Sequence, residues 1–447
     1  MTDMNHQLGK QLKPGMNAAG RVEAIRTAMP EDGLFAGKEW RISPDPFVLA
    51  PEEVRQLERL GQLLWKYVEA CDVIFRRSRK GKDVPWVADV LTAGKPDWLI
   101  DAGMACAEER PRVLRPDLIL TDDGFAMSEL DSVPGGIGLV GWLNQCYAAL
   151  GDRVLGGASG MVDGFASLFP DGADILVSKE SGDYRPEMDW LLTQLDGGRF
   201  SVQDAENAEV ASGRDVYRFF ELFDWEQIPG AKELIERAAQ GDVRISAPPK
   251  PWLEEKLWLG LFWTPGLRRV WDQLMRRGHW RELSRVIPYG WMVDPAPLPP
   301  QAVLPRLDAA SWDEVAGFSQ RERELVLKIS GFDESAWGSR GVTIGHDVSG
   351  NEWKAALKEA QESFPQQPFV MQEFRKGRVV EHSYWDDATG SVKMMKGRVR
   401  LTPYFFVGRE DNQVRLGGVH ATICPEDKKI IHGMRDAVMV PCVEGHE

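Results

Sequence analysis

The stretch VLRPDLILTDDGFAMSELDSVPGG, residues 113 to 136, constrains the chain most, because two strand-like runs flank Asp122-Asp123-Gly124 and carry charges at alternate positions. A three-residue hairpin loop with glycine in the left-handed position pairs Thr121 with Phe125. Continuing that register sets Asp117 opposite Glu129 and Arg115 opposite Asp131. Alternation along the strands then places all four on one face with Ile119, Phe125 and Met127. Directly opposed carboxylates repel unless a proton, an arginine or a divalent metal lies between them. Magnesium carried by nucleotide phosphates answers that need. Charged strand faces are ordinarily just solvated, but the apolar residues interleaved here read as a cleft wall.

The pattern Arg-x-Asp, eleven residues, Glu-x-Asp, then Pro-Gly-Gly resembles the metal-binding strands of the glutathionylspermidine synthase-like ATP-grasp ligases. In that family the spacing ends in Glu-x-Asn. Asp131 stands at the last position here, keeping an oxygen ligand and adding a negative charge. The resemblance implies an α/β (α+β) chain with the ATP-grasp fold in permuted order, the metal strands preceding the nucleotide lobe. It implies ATP and magnesium (Mg2+) as cofactors, Asp117, Glu129 and Asp131 as metal ligands, and Arg115 as the group that stabilises the transferring phosphoryl.

ELVLKISGFDESAWGSRGVTIG, residues 324 to 345, reads as a short apolar strand ending at Lys328, a Gly/Ser-rich loop and another strand. Small residues let backbone amides approach an anion, and an ammonium supplies a point charge for a triphosphate. The order of glycine, lysine and hydroxyl residues is not that of a Walker A loop, and a lysine ending a strand at the surface would look the same. By resemblance, Lys328 grips the triphosphate and acts in catalysis, and the 335 to 342 loop with Ser339, Arg340 and Gly341 excludes water over the phosphates. PFVMQEF at 368 to 374 resembles the hinge strand that meets adenine, with Gln372 or Glu373 as the polar contact. Taken alone it is an edge-like strand. Lys256, in the Trp-rich helical pattern WLEEKLWLGLFW, corresponds to a nucleotide-contacting lysine of the family; read by itself it is a lysine snorkelling from a buried helix.

The remaining chain fits around these segments. PEEVRQLERLGQLLWKYVEACDVIFRRSRKG has apolar residues at helical spacing, with Pro51 and two glutamates in the first turn and Gly81 after the last. IGLVGWLNQCYAAL, 137 to 150, is a helix opening directly after Pro134-Gly135-Gly136, where free amides can meet phosphate or carboxylate. Strands and helices alternate from 151 to 247, and VDPAPLPPQAVLP at 293 to 305 is an extended connector. The expected organisation is an N-terminal helical segment (1 to 112), the metal hairpin and its helix (113 to 150), an α/β support or substrate lobe (151 to 247), a helical connector (248 to 305) and a nucleotide lobe (306 to 447). Arg398, Arg400 and Arg415 fall on or beside late strands, where they hold acidic substrate or simply solvate the sheet. His420 and His432 have apolar neighbours and read as core histidines.

A length of 447 residues at 43% hydrophobic suits several lobes around a cleft. The formal net charge of -14 argues against a nucleic-acid platform, and the short basic run RRSRKGK solvates a helix end. Five scattered cysteines give neither a disulfide framework nor a zinc spacing. With no apolar run of membrane length and no leader-like N-terminus, the expectation is a cytoplasmic protein with neither membrane nor nucleic-acid partner. GASG at 157 to 160 is no nucleophile elbow, and PGGIG at 134 to 138 lacks dinucleotide spacing.

The expected activity is an ATP-dependent ligase joining a small-molecule carboxylate, a peptide or amino acid, to an amine through an acyl phosphate. Metal strands that begin near residue 113 leave no room for the amidase domain that some relatives carry upstream. A kinase or phosphotransferase using the same groups, and a non-catalytic binding protein on a retired ligase fold, are the alternatives. Oligomeric state stays open, because the 17 tryptophans fill cores and partner surfaces alike.

Overall fold

A computed structural model describes residues 16–30, 34–35, 38–336, 340–428, 431, 433 and 435–445. Among them the chain forms a mixed α/β protein with three sheets. In the largest, the strands run in the order Phe47–Leu49, Val438–Glu444, Val414–Pro425, Ser391–Val407, Val113–Thr121, Gly124–Asp131, and Val379–Asp386 also pairs with Ser391–Val407. Every pairing in it is antiparallel except the first. Alternation sorts its two faces. Val399, Leu401, Val419, Ala421 and Ile423 join the main core, while Arg400, Thr402, His420 and Thr422 point the other way into a cleft.

The core side of this sheet is covered by the long helix Pro51–Arg79, which buries Val54, Leu57, Leu64, Val68, Cys71 and Phe75 along one stripe. Its start follows from sequence: Pro51 occupies the first turn, and Glu53 Oε2 accepts from the Ala50 amide at 2.9 Å. Its end is marked by Gly81, at φ +66°. Midway along the helix, Gly61 lets the Phe405 ring approach its backbone.

A second sheet carries Val342–Ile344, Leu325–Ile329, Phe369–Glu373 and Gly290–Met292 in that order, all antiparallel. The FVMQEF strand is therefore interior, not an edge, because the segment just before the proline-rich connector supplies an outer strand. Leu325, Leu327, Phe369 and Met371 pack on Trp353 and Leu357 of the helix Gly350–Glu362. A capping box fixes the start of that helix, with the Glu352 amide donating to Ser349 Oγ at 3.3 Å and the Ser349 amide donating to Glu352 Oε2 at 2.7 Å. The opposite face presents Val326, Lys328, Val342, Ile344 and Gln372 to the cleft. The third sheet is wholly parallel, in the order Ser201–Asp204, Asp174–Val177, Asp215–Phe219, Arg244–Ser246, with helices Arg185–Gln194 and Ala231–Ala239 in its connections.

The Trp-rich segment is not one helix. A 3-10 turn at Pro251–Leu253 precedes a short helix at Trp258–Leu261, and Lys256 lies in the bend between them. The bend exists because the Lys256 amide donates to Ser330 O and the Leu257 amide to Ser330 Oγ, both at 2.8 Å, instead of to the preceding helical turn. No described helix is long and apolar enough to cross a membrane.

A methyl group at residue 61 would stand 2.5 Å from Phe405 Cδ1, and Phe405 is 1% exposed with no room to retreat. Gly61→Ala, which in an open helix would add about 1 kcal/mol, is therefore expected to destabilise by roughly 1–3 kcal/mol, read as a lower urea midpoint at unchanged slope.

Candidate active site

The cleft between the large and small sheets has a volume of about 890 Å³. Its floor is the charged hairpin. The register sets Asp117 opposite Glu129 and Arg115 opposite Asp131, as the strand pattern predicts, but by another route. Gly124 pairs directly with Thr121, so the loop is one residue shorter than expected, and a bulge beside Leu118 absorbs the extra residue, Ser128. That bulge also re-sorts the apolar positions. Phe125 and Met127 pack with Leu118 and Leu120 in the core, and Ala126 pairs with Ile119.

Each of the three cleft-facing carboxylates of the hairpin, Asp117, Glu129 and Asp131, has a cation beside it. Arg115 Nε lies 3.3 Å from Asp117 Oδ1, and its Nη2 lies 3.1 Å from Asp131 Oδ2. Arg400 donates to Asp117 Oδ2 at 3.1 Å, and Lys256 Nζ lies 2.9 Å from Glu129 Oε1. Burial opposes the charge on Glu129, but Lys256, with Arg115 and Lys328, outweighs it and holds the carboxyl below its usual range. Burial wins at Asp131, only partly offset by Arg115, and raises its pKa. Burial likewise opposes the charge on Arg115 and Lys256, and there the facing carboxylates prevail and raise both.

The small sheet brings Lys328 to the same space. Its Nζ donates to Ser128 O at 2.8 Å and to Gln372 Oε1 at 3.0 Å. Burial lowers its pKa to about 8, with Glu129 and Asp117 pulling it up and Lys256 pushing it down. Of the two candidate hinge residues, Gln372 is buried against Lys328 with its Nε2 unpartnered, whereas Glu373 pairs with Arg306 and Arg375, at 2.8 and 2.9 Å. Val326, Val342, Ile344, Phe374, Pro288 and Ile119 supply apolar lining to the same cleft. Lys256 also donates to Ala336 O at 3.0 Å in the loop expected to cover phosphates. Gly341 closes that loop by donating to Ser335 O at 2.7 Å, Arg340 is exposed, and Ser339 lies outside the described residues.

The described residues contain no group of three or more His, Cys, Asp or Glu side chains placed to hold a metal ion. Arginine and lysine stand beside the three acids expected to hold the metal: Arg115 and Arg400 at Asp117, Lys256 at Glu129 and Arg115 at Asp131. The donor set still fits magnesium in the form that ion prefers, one or two carboxylates with the remaining ligands from substrate phosphates and water. Glu129 and Asp131, each with one cation partner, suit that role better than Asp117, which is held between two guanidiniums.

At the start of the helix Ile137–Ala149 the Leu139 amide meets a carboxylate of the protein itself, donating to Glu187 Oε2 at 3.1 Å, and Lys38 closes the other side of that carboxylate at 2.8 Å. Of the three late arginines, Arg400 alone faces the cleft; Arg398 donates to Glu426 O, and Arg415 pairs with Asp411. His420 is buried as expected, yet it lines the cleft and its Nε2 has no partner. Burial, with Arg400 and Arg115, lowers its pKa to about 3, so the ring is neutral. His432 lies outside the described residues. Sequence reasoning missed Thr402 and Thr422, although their alternation with the core residues 399, 401, 421 and 423 was available as a signal.

No protein-family model matches the sequence, and no curated relative was found for it. The structure is similar to that of a glutathione synthetase-like effector from Globodera pallida in its apo form, at a TM-score of 0.51 and 12% identity, covering 96% of this chain and 97% of that one. At such identity the likeness is one of fold, and it agrees with the ligase resemblance of the hairpin. A putative gamma-glutamylcysteine synthetase from Methylobacillus flagellatus aligns at a TM-score of 0.36 and 10% identity over 83% of this chain and 85% of its own, too distant to add to that argument.

Asp117 is 6% exposed and neutralises two guanidiniums. Asp117→Asn is expected to destabilise by about 3 kcal/mol, the usual cost of leaving a buried ion-pair partner alone, while inorganic triphosphate binds the variant more tightly because Arg400 loses its carboxylate and Arg115 keeps only Asp131. Chemical denaturation and calorimetric titration check the two halves.

Proposed function

We propose that this protein is an ATP-dependent carboxylate-amine ligase with a permuted ATP-grasp arrangement. One observation carries the reading: Arg115, Arg400, Lys256 and Lys328, from four separate segments, converge on one cleft whose apolar lining is of the kind a purine ring packs against. Adenine would lie among Val326, Val342, Ile344 and Phe374, with Gln372 offering its unpartnered amide. Lys328 and Lys256 would take the phosphates, exchanging Gln372, Ser128 and Glu129 for phosphate oxygens. Glu129 and Asp131 would hold magnesium, which neutralises phosphate charge when bound.

The reaction then needs positioning more than covalent chemistry from the protein. A substrate carboxylate oxygen attacks the γ-phosphorus and ADP leaves, forming an acyl phosphate. The amine attacks the acyl carbon, loses a proton, and inorganic phosphate departs. Arg115 would face the charge that develops in both steps. The substrate is proposed to be a peptide or amino acid carboxylate paired with a small amine.

A non-catalytic reading has its own support, since Asp131 stands where the resembling family has asparagine and each of the three cleft-facing hairpin carboxylates already has an internal partner. The two readings part on ADP release. The ligase predicts carboxylate- and amine-dependent ADP formation that falls about 100-fold or more in Lys328→Met. A retired fold predicts none.

Saturation with ATP and magnesium at 100 times the dissociation constant should add about 2.7 kcal/mol of stability, seen as a higher thermal midpoint. Absence of any shift would sink the nucleotide site. Because the Lys328 pKa is near 8 in the unliganded cleft and a triphosphate raises it, binding should take up a proton around pH 8 to 9, and ATP affinity should fall as pH rises through that window. Titration calorimetry in buffers of different ionisation enthalpy measures the uptake, which Lys328→Met should abolish.

A further inference from the structure

Beyond the charged hairpin, the cleft face of the large sheet continues across two more strands. Arg400 pairs with Ile119 on one side and Thr422 on the other, and Thr422 pairs in turn with Met439, so these four stand abreast. Thr402 and His420 form the next cross-strand pair. Thr422 is 1% exposed and His420 7%, and both line the cleft. Three polar atoms of this wall lack a hydrogen-bond partner: Thr422 Oγ1, His420 Nε2 and Arg400 Nε. Buried polar atoms are nearly always paired, and leaving one unpaired costs about 1–3 kcal/mol. Three on adjacent positions of one sheet face, beside two arginines, describe a surface built to be completed by a ligand with anionic oxygens.

We propose that Arg400, Thr422 and His420 form the seat of the carboxylate substrate, with Arg400 supplying charge and the hydroxyl and imidazole donating to the substrate's oxygens. The proposal rests on the ligase reading for the identity of the anion as a carboxylate; a nucleotide phosphate would satisfy the same donors. Position favours the carboxylate, because Lys328 approaches from the small sheet and Lys256 from the bend tied to Ser330, whereas this wall extends away from the hairpin through two further strands of the large sheet. The neighbouring Met439 and Ile431 leave room beside the seat for an apolar part of the acyl donor.

The test is calorimetric titration of acetate, succinate, L-glutamate and glycylglycine into the full chain, with and without ATP and magnesium. Wild type is compared with Thr422→Val, which is nearly isosteric, Thr422→Ser, which restores the hydroxyl, and His420→Leu, which removes the imidazole donor independently should the valine variant misfold. The expected result is a carboxylate probe that binds wild type, binds Thr422→Val about ten-fold or more weakly, and recovers in Thr422→Ser, while ATP affinity moves less than about two-fold. Equal weakening of ATP and carboxylate would overturn the proposal in favour of a phosphate seat. Carboxylate affinities indifferent to Thr422 and His420, or no carboxylate binding by a protein that binds ATP normally, would overturn it and leave the nucleotide half of the ligase reading standing. Failure to bind both ATP and carboxylate would remove that reading together with the seat.

Discussion

Asp117 between Arg115 and Arg400 is the interaction on which the rest of the cleft depends. Asp117 and Arg115 belong to one strand and Arg400 to its neighbour, while Arg115 reaches on to Asp131 of the hairpin's other strand. One carboxylate thus sets three strands in a shared electrostatic frame, and the bulge at Ser128 brings the opposing strand into phase with it. Without the bulge, Glu129 and Asp131 would turn toward the core, where their desolvation would be prohibitive. Ser128 also offers its carbonyl to Lys328. The irregularity that repairs the register is therefore what couples the large sheet to the small one.

The same frame explains why a strongly acidic molecule, with a net charge of -14, can receive anions. Among the described residues the cleft is lined by seven lysine and arginine side chains against six carboxylates, so the local balance opposes the global one. Field lines from such a group are focused by low-dielectric walls. On the proposed reading, this local balance would let a compact, metal-neutralised triphosphate enter despite the acidic surface.

Legibility from sequence followed the range of the physical rule involved. The opposition of Asp117 to Glu129 was readable because strand alternation is local, yet the turn that sets it was misjudged by one residue, since two-residue and three-residue loops compete closely at Asp-Asp-Gly. The long helix from Pro51 was readable from periodicity and capping. Lys256 was not, because the bend that aims it at Glu129 is held by Ser330, 74 positions away, and no window over WLEEKLWLGLFW contains that partner. The choice between Gln372 and Glu373 was closed to sequence for a similar reason: it depends on which face of an interior strand meets Lys328, and the pairing of Phe369–Glu373 with both Leu325–Ile329 and Gly290–Met292 decides it. Thr422 and His420 were readable as alternating residues, but a partnerless atom is a property of three strands together.

The internal pairing of the site's charges also has a thermodynamic consequence for ligand binding. Four unpaired cations in a partly buried cleft would destabilise the fold and draw adventitious anions; pairing each with a neighbour removes both costs. Ligand binding then becomes an exchange of partners. On the proposed ligase reading, Lys256 would leave Glu129 for phosphate as Glu129 turned to the metal, and Lys328 would exchange a neutral amide and a carbonyl for a full charge. On that reading each ligand would release what the other needs, so metal and phosphate would bind more tightly together than alone. That coupling arises from the charge arrangement itself and requires no movement of the sheets.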